Sequence, residues 1–422
     1  MIQMVLGAWL LLAPPTVADA SVVQQEVNAI LNKPEIELND LFRLAELQNP
    51  ELAAAQASEA ANAGKVDQAG AYPNPVFSIE VDELDTGAPD IHKEKVTLEQ
   101  NFIISGRRGD AVASARFSAE AAGHERTQTR RDIYQRIHDH WANQLYFQET
   151  GAALIELLDH ANQTLQIATV RFEAKAAPES HATKALLEVY ELKMIQQRLA
   201  QQQAGAEAAF RALFGGLNLP MNRLKGTLDQ SHQGNHNSDT AEAPPLLNAA
   251  SSRLDAAQAA LDESKAERIP DLGVFASYGR IRPTGDSFIE AGISFSLPLF
   301  NRNQGLVAEK NALLAEARAQ VRMVEANFNA RLAGERARHL AIGSELQTLG
   351  KQMLPAAQRG LDQAQEGYRV GKLPFLELID AQRTLSNIRL RNLELRRDLV
   401  IAEVELMSLT GTGPYAHKGE KP

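Results

Sequence analysis

The feature that most constrains this chain is an internal duplication with an offset of 196 residues. Phe172 and Pro178 in the first half correspond to Tyr368 and Pro374 in the second, and both pairs are 196 residues apart. A fixed period of related residues is the signature of a repeated structural unit. The sequence therefore predicts two copies of one structural plan.

The helical patterns keep one register across the duplication. Steps of three and four residues from Ala182 give a seam that is apolar at eight of ten positions, and the seam that starts 196 residues later at Leu378 is apolar at nine. Such seams hold paired helices together. Each copy therefore predicts an unbroken helix of about 67 residues (105–171 and 301–368), a tight turn and a second long helix, which together form an antiparallel coiled-coil hairpin.

Two strand-like runs precede each predicted hairpin. Phe77, Ile79 and Val81 alternate with polar residues in the run 76–85, and the run 288–297 alternates in the same way, while the runs 95–104 and 272–281 are weaker partners. Runs of about ten residues with one apolar face are typical of outer-membrane strands, although a half-buried soluble sheet alternates in the same way. Four strands cannot close a membrane barrel, so several chains would have to share one.

The first 20 residues predict an export signal. An apolar run leads to Ala18-Asp19-Ala20, the small-x-small pattern that signal peptidase recognises. Cysteine is absent, which excludes disulfides, thiolate metal sites and lipidation of an N-terminal cysteine. The net charge of −10 argues against a nucleic-acid partner.

No catalytic motif is recognisable, and we predict a protein that is not an enzyme and has no cofactor and no catalytic or metal-binding residues. The Gly-rich run at 367–372 has three residues between its glycines where a phosphate-binding loop needs four, and no Ser or Thr follows Lys372. His232 and His236 lie in the polar connector 215–245, where solvation and metal binding are the two alternatives. The residues 412–422 are predicted to form a flexible tail.

Three groups of motifs resemble the TolC family of outer-membrane efflux ducts, over residues 38–411. They are Tyr72-Pro73-Asn74-Pro75, Leu98-Glu99-Gln100 with Gly106-Arg107-Arg108, and Gly367-Tyr368-Arg369-Val370-Gly371 with Leu378-Ile379-Asp380-Ala381-Gln382. The second and third groups look most like the CzcC-type heavy-metal cation branch.

The resemblance implies a mainly α fold with a small β part and two repeats, 38–214 and 246–411. Three chains would form a twelve-stranded outer-membrane barrel that continues into a periplasmic α-helical barrel. The implied function is the passive exit duct of a tripartite RND-type pump for heavy-metal cations, with a periplasmic adaptor and an inner-membrane transporter as partners. A drug or type I secretion duct of the same family, and a soluble periplasmic adaptor or scaffold, are the alternatives.

The resemblance also implies two kinds of site. The hairpin tips would dock the adaptor, and Glu377 and Asp380, which share a helix face, would form an acidic periplasmic aperture with His181 at the equivalent place in the first repeat. Favourable placement of acids in the first turn of a helix is the alternative for the two carboxylates, and simple solvation is the alternative for the histidine. The tip residues are Gly371, Lys372, Leu373, Pro374, Lys175, Ala176, Ala177 and Pro178.

Overall fold

A computed structural model describes residues 20–83, 92–229, 243–282 and 284–415. Residues 1–19 of the predicted signal, His232, His236 and most of the predicted tail lie outside them. The fold is mainly helical with one four-stranded sheet, as the sequence predicted. The helices are α1 (Ala20–Leu31), α2 (Leu38–Gln48), α3 (Pro50–Gly70), α4 (Arg107–Glu173), α5 (Glu179–Ala212), α6 (Pro245–Ala266), α7 (Gln304–Thr348), α8 (Leu354–Arg369) and α9 (Phe375–Thr410). The strands are β1 (Val76–Glu83), β2 (His92–Phe102), β3 (Leu272–Arg282) and β4 (Ser287–Ser294).

The predicted duplication is confirmed by where the elements begin. Strand β1 begins at Val76 and β3 at Leu272, and helix α5 begins at Glu179 and α9 at Phe375. The members of each pair are 196 residues apart in the sequence. The two halves therefore fold into the same succession of strands and hairpin helices.

The chain divides into two compact units. One comprises residues 1–53, 131–240 and 332–422, and we call it the hairpin unit. The other comprises residues 54–130 and 241–331 and contains the sheet, so we call it the sheet unit.

The sheet unit contains four antiparallel strands in the order β1-β2-β3-β4. Strand β4 ends at Ser294, three residues before the predicted end. Its partner β3 begins only at Leu272, just after Pro270, so the residues beyond position 295 have no strand opposite them. Strand β2 begins at His92, three residues earlier than predicted, because β3 pairs with it along its whole length.

The two faces of the sheet differ in polarity. On one face, Ile79, Val96, Tyr278 and Ile289 form a row across all four strands, and every one of them is exposed. A second apolar row follows at Phe77, Leu98, Ala276 and Ala291. Contiguous apolar surface of this kind marks contact with protein or lipid rather than with water.

The opposite face is polar and carries two aromatic rings that lie flat against the strand backbone. Lys95 pairs with Glu80 at 2.8 Å. The ring of Phe288 covers Gly279, where a β-carbon would lie 2.4 Å from its Cζ atom, and the ring of Phe275 covers Gly292 in the same way. Only glycine leaves room for a ring to lie against the strand backbone.

The hairpin unit has its largest core where α1, α2 and the middle of α4 meet the ends of α5 and α9. Phe42 stacks on Tyr134 with ring centroids 4.2 Å apart, and His138 meets Phe42 edge-on at 5.3 Å. Asn49 caps α3, since its Oδ1 accepts the backbone N–H groups of Glu51 and Leu52. The predicted seams are covered as expected, with Gln196 the one exposed position of the first seam and none in the second.

The second long helix differs from the prediction. A π turn, Leu349–Met353, separates α7 from α8, whereas α4 runs without interruption for 67 residues. Pro355 follows this turn and has no N–H group to donate to the preceding turn. The unbroken helix predicted for 301–368 is therefore wrong at this point, where Pro355 interrupts the helical hydrogen bonding.

A cluster of acidic side chains lies between α4 and α9. Asp139 is largely buried, and burial raises the pKa of its carboxyl to about 7, with the charge of Glu405 adding to the effect and Arg338 opposing it. Glu405 is buried and accepts a hydrogen bond from Gln135. A carboxyl group that is removed from water and lies near another negative charge holds its proton more tightly.

The substitution Asp139→Asn should stabilise the protein at alkaline pH. The pKa of Asp139 rises from 3.8 to about 7 on folding, so its favourable contribution is complete below pH 3.8 and is lost as pH rises through 7. Three pKa units correspond to about 4 kcal/mol, the upper bound of the expected gain at pH 8. Thermal unfolding of the detergent-solubilised protein at pH 8 and pH 5 measures it. Asp67→Asn, which changes an exposed carboxylate, is the control. An equal change in the unfolding midpoint of Asp139→Asn at both pH values would show that the raised pKa of Asp139 is not the cause.

Candidate functional site

The two hairpin tips have nearly the same backbone. Lys175 and Gly371 adopt the left-handed conformation, with φ of 57° and 75°. Pro178 and Pro374 precede the returning helices with φ of −71° and −69°. Only the second tip has glycine where this conformation costs no strain, so the lysine of the first tip is held there by its surroundings.

The second tip is closed by contact between Gly367 and Leu373. The backbone N–H groups of Lys372 and Leu373 both donate to the carbonyl of Gly367, at 2.7 and 3.0 Å. A β-carbon at position 367 would lie 2.5 Å from Cδ1 of Leu373. The glycine therefore lets the leucine fold back over the helix end.

Most of the predicted docking residues are accessible. Leu373 and Ala177 are half-buried, and the other six are exposed. Lys372 and Lys175 place a positive charge at each tip. Their contact with an adaptor stays a prediction.

The tips of the two hairpins contact each other through His181. Its ring stacks on Phe375 with centroids 4.5 Å apart, and its Nδ1 lies 3.1 Å from the hydroxyl of Tyr368. Arg171 of the first hairpin lies over the Tyr368 ring at 4.7 Å and donates to the backbone carbonyl of Tyr368. Residue spacing alone does not reveal this contact, because it joins residues from two helical hairpins that lie side by side.

An apolar core lies beneath the contact. Tyr368 and Phe375 are buried in it together with Ala168 and Ala185 of the first hairpin. Removal of His181 from water lowers the pKa of its imidazole, and the positive charges of Lys184 and Arg171 lower it further. The neutral form of the ring is therefore favoured in the contact.

Glu377 and Asp380 lie on the exposed side of α9, while Leu378 and Ile379 between them are buried. Within the described residues, no basic side chain is within ion-pair distance of either carboxylate. Arg383, one turn further, instead pairs with the buried Glu188 of the first hairpin, with its Nε 2.7 Å from the carboxylate. Both carboxylates are therefore exposed to solvent, with the charge of Arg383 attracting that of Asp380, and His181 lies in the contact between the hairpins. The place of all three residues at an aperture stays a prediction.

Neither a metal centre nor a spanning helix is found in the described residues. No group of three or more His, Asp or Glu side chains there could hold a metal ion. None of the described helices combines the length and apolar character needed to cross a membrane.

Comparison with known proteins identifies the family. The model of the outer membrane efflux protein family matches residues 41–216 and 238–412. This chain belongs to the outer membrane efflux protein family. The resemblance read from the sequence motifs is thereby confirmed, and so is a location in the outer membrane.

Two resistance proteins are similar to this member of the family. The cobalt-zinc-cadmium resistance protein CzcC of Cupriavidus metallidurans is 26% identical over 366 residues, which are 84% of this chain and 85% of that protein. The nickel-cobalt-cadmium resistance protein NccC of Alcaligenes xylosoxydans xylosoxydans is 24% identical over 271 residues, 63% of this chain and 62% of that protein. Among solved structures, the outer membrane protein VceC of Vibrio cholerae has the same fold, with a TM-score of 0.75, 20% identity, and coverage of 89% of this chain and 96% of that one.

The contact between the tips should weaken in acid. Because the pKa of His181 is lowered in the contact, the contribution of the neutral ring is complete above its ordinary value of 6.5 and is lost as pH falls below it. The chain has no cysteine, so spin labels at Lys175→Cys and Lys372→Cys report the separation of the tips by pulsed electron paramagnetic resonance. We expect the distance distribution to broaden between pH 7.5 and 5. His181→Phe retains an aromatic ring without a titratable group, and broadening that persists in this variant would exclude the histidine as its cause.

Proposed function

We propose that this protein is the outer-membrane exit duct of a tripartite RND-type efflux system, and that it passively releases heavy-metal cations. The observation that carries the proposal is the match of both repeats to the outer membrane efflux family. The two resistance proteins, named for cobalt, zinc, nickel and cadmium, support metal cations as cargo. The energy would come from an inner-membrane transporter through a periplasmic adaptor, and no catalytic chemistry is assigned to this chain.

Three chains would share one twelve-stranded barrel. The apolar rows of the sheet support a lipid-facing side. On β2 this face carries Val96, Leu98 and Phe102, with Gln100 between the last two, over about 20 Å at 3.3 Å per residue. Barrel proteins have an apolar band about 25 Å tall. In the described sheet, β1 and β4 are edge strands, and lipid does not tolerate open edges. Pairing of β4 with β1 of the next copy would close the ring.

An uncovered face of α5 supports the same assembly. Leu186, Tyr190 and Met194 on α5 are exposed by 38, 54 and 58%. Their counterparts 196 residues later in α9 are Gln382 and Ser386, which are buried, and Leu390, which packs against the core of the first hairpin. The hairpin of a second copy is the occupant that would cover α5 as the first hairpin covers α9.

Glu377 and Asp380 would surround the periplasmic aperture. Three copies would bring six carboxylates around one axis, an arrangement that attracts cations and favours bound ions. The duct would open when the inner hairpins move outward, with Gly371 and its neighbours free to change conformation. The tips would remain the docking points of the adaptor.

The assembly can be tested by a charge placed on α5. Tyr190→Asp together with Met194→Asp should convert a trimer in detergent into smaller species, because charges without partners would be buried in the contact between copies. Native mass spectrometry and analytical ultracentrifugation measure the oligomer. Val22→Asp, also at an exposed apolar residue, is the control, and a trimer that survives the double substitution would exclude this face.

Single-channel conductance in planar bilayers tests the duct and its aperture. We expect a pore blocked by cobalt ions, with block weakened about tenfold, or about 1.4 kcal/mol, when Glu377→Gln and Asp380→Asn are combined. Asp362→Asn, an exposed acid on α8, should leave the block unchanged. A protein that remains in the soluble fraction without pore activity would instead indicate a periplasmic scaffold.

A further inference from the structure

The two hairpins differ at one level. In the second repeat, the π turn Leu349–Met353 interrupts the long helix, whereas the equivalent residues 153–157 lie within the uninterrupted α4. At the π turn, the N–H of Leu354 donates to the carbonyl of Leu349, five residues earlier. The duplicated chain has thus acquired an irregularity in one copy only.

The covered side chains show what the π turn does. Before the turn they follow a heptad at positions 335, 339, 342, 346 and 349, and after it they resume at 354, 357, 361, 364 and 368. The step from Leu349 to Leu354 is five residues, where a heptad allows at most four. The π turn absorbs one extra residue and keeps both segments facing the same way.

Packing is loose before the turn and firm after it. No side chain from Leu332 to Thr348 is fully buried, and all of these residues are described. After the turn, Leu361, Ala364 and Tyr368 of α8 are buried in the core beneath the tips. The π turn therefore separates two segments that are held with different strength.

Helix α9, which faces the π turn, also packs poorly at this level. Asn392 occupies a seam position of α9 and is buried, and its Nδ2 has no hydrogen-bond partner among the described residues. A β-carbon at Gly350 would lie 3.4 Å from that nitrogen. A buried amide thus lies against the π turn, where apolar packing would otherwise hold the two helices together.

We propose that the π turn and Asn392 together form a hinge at which the second hairpin bends while the first stays straight. Pro355 leaves one backbone carbonyl of the preceding turn without an N–H donor, and the buried amide of Asn392 stands where apolar packing would otherwise be. Both lower the free energy needed to bend the hairpin at this level. Bending at this level moves α8 and the start of α9 as one body and separates Tyr368 and Phe375 from His181. The assignment of this motion to opening rests on the proposed function.

Deletion of Gly350 is the test, because it removes the extra residue and allows an unbroken α-helix with both flanking faces kept. In the intact native protein, hydrogen exchange at amides 350–354 should be about tenfold faster than at 154–158, the equivalent segment of α4. The deletion should abolish this difference and reduce the frequency of channel opening in bilayers.

A second variant, Pro355→Ala, restores an N–H donor without changing the chain length, and it should also slow hydrogen exchange at amides 350–354. Gly334→Ala, at an uncrowded glycine of α7, is the control and should change neither the exchange rate nor the frequency of channel opening.

Two results would overturn the hinge. One is native exchange at 350–354 as slow as at 154–158. The other is unchanged opening in a deletion variant whose exchange has become slow. Absence of a pore in every variant, native protein included, would refute the proposed duct instead, and the exchange measurement would still decide whether this turn is a point of flexibility.

Discussion

Backbone pairing between β2 and β3 is the interaction on which the rest of the molecule depends. All eleven residues of His92–Phe102 pair with Arg282–Leu272, and these strands come from different copies of the repeat. The pairing makes one sheet out of two duplicated strand pairs and aligns their apolar residues in common rows. The joined sheet has two edge strands, β1 on one side and β4 on the other. The antiparallel pairing that joins the two copies within one chain would join separate chains at these edges in the same way.

Much of this organisation could be predicted from the sequence, because it depends on period. The offset of 196 residues and the alternation around Ile79 are visible in residue types alone. Turn residues such as Pro178 and Pro374 located both tips, since proline cannot continue the preceding helix. These signals are local or repeat at a fixed distance, and neither kind requires knowledge of tertiary contacts.

The features that were missed arise from contacts between distant segments. The stacking of His181 on Phe375 is one of them, because no spacing rule brings these two residues together. The pairing of Arg383 with Glu188 is of the same kind. The place of His181 at an aperture stays a prediction. The π turn was missed for a different reason. Pro355 marks an irregularity in the sequence, but the step of five between the covered residues Leu349 and Leu354 is visible only once the burial of each side chain is known.

The rings of Phe275 and Phe288 determine how far the polar face of the sheet projects from its backbone. An aromatic ring that stands upright on a strand projects several ångströms from the backbone, whereas one that lies over a glycine adds little more than its own thickness. On the polar face of this sheet, the arrangement supplies apolar packing between neighbouring strands without adding bulk above the backbone. The glycines thus keep the polar face shallow while its strands stay tightly packed.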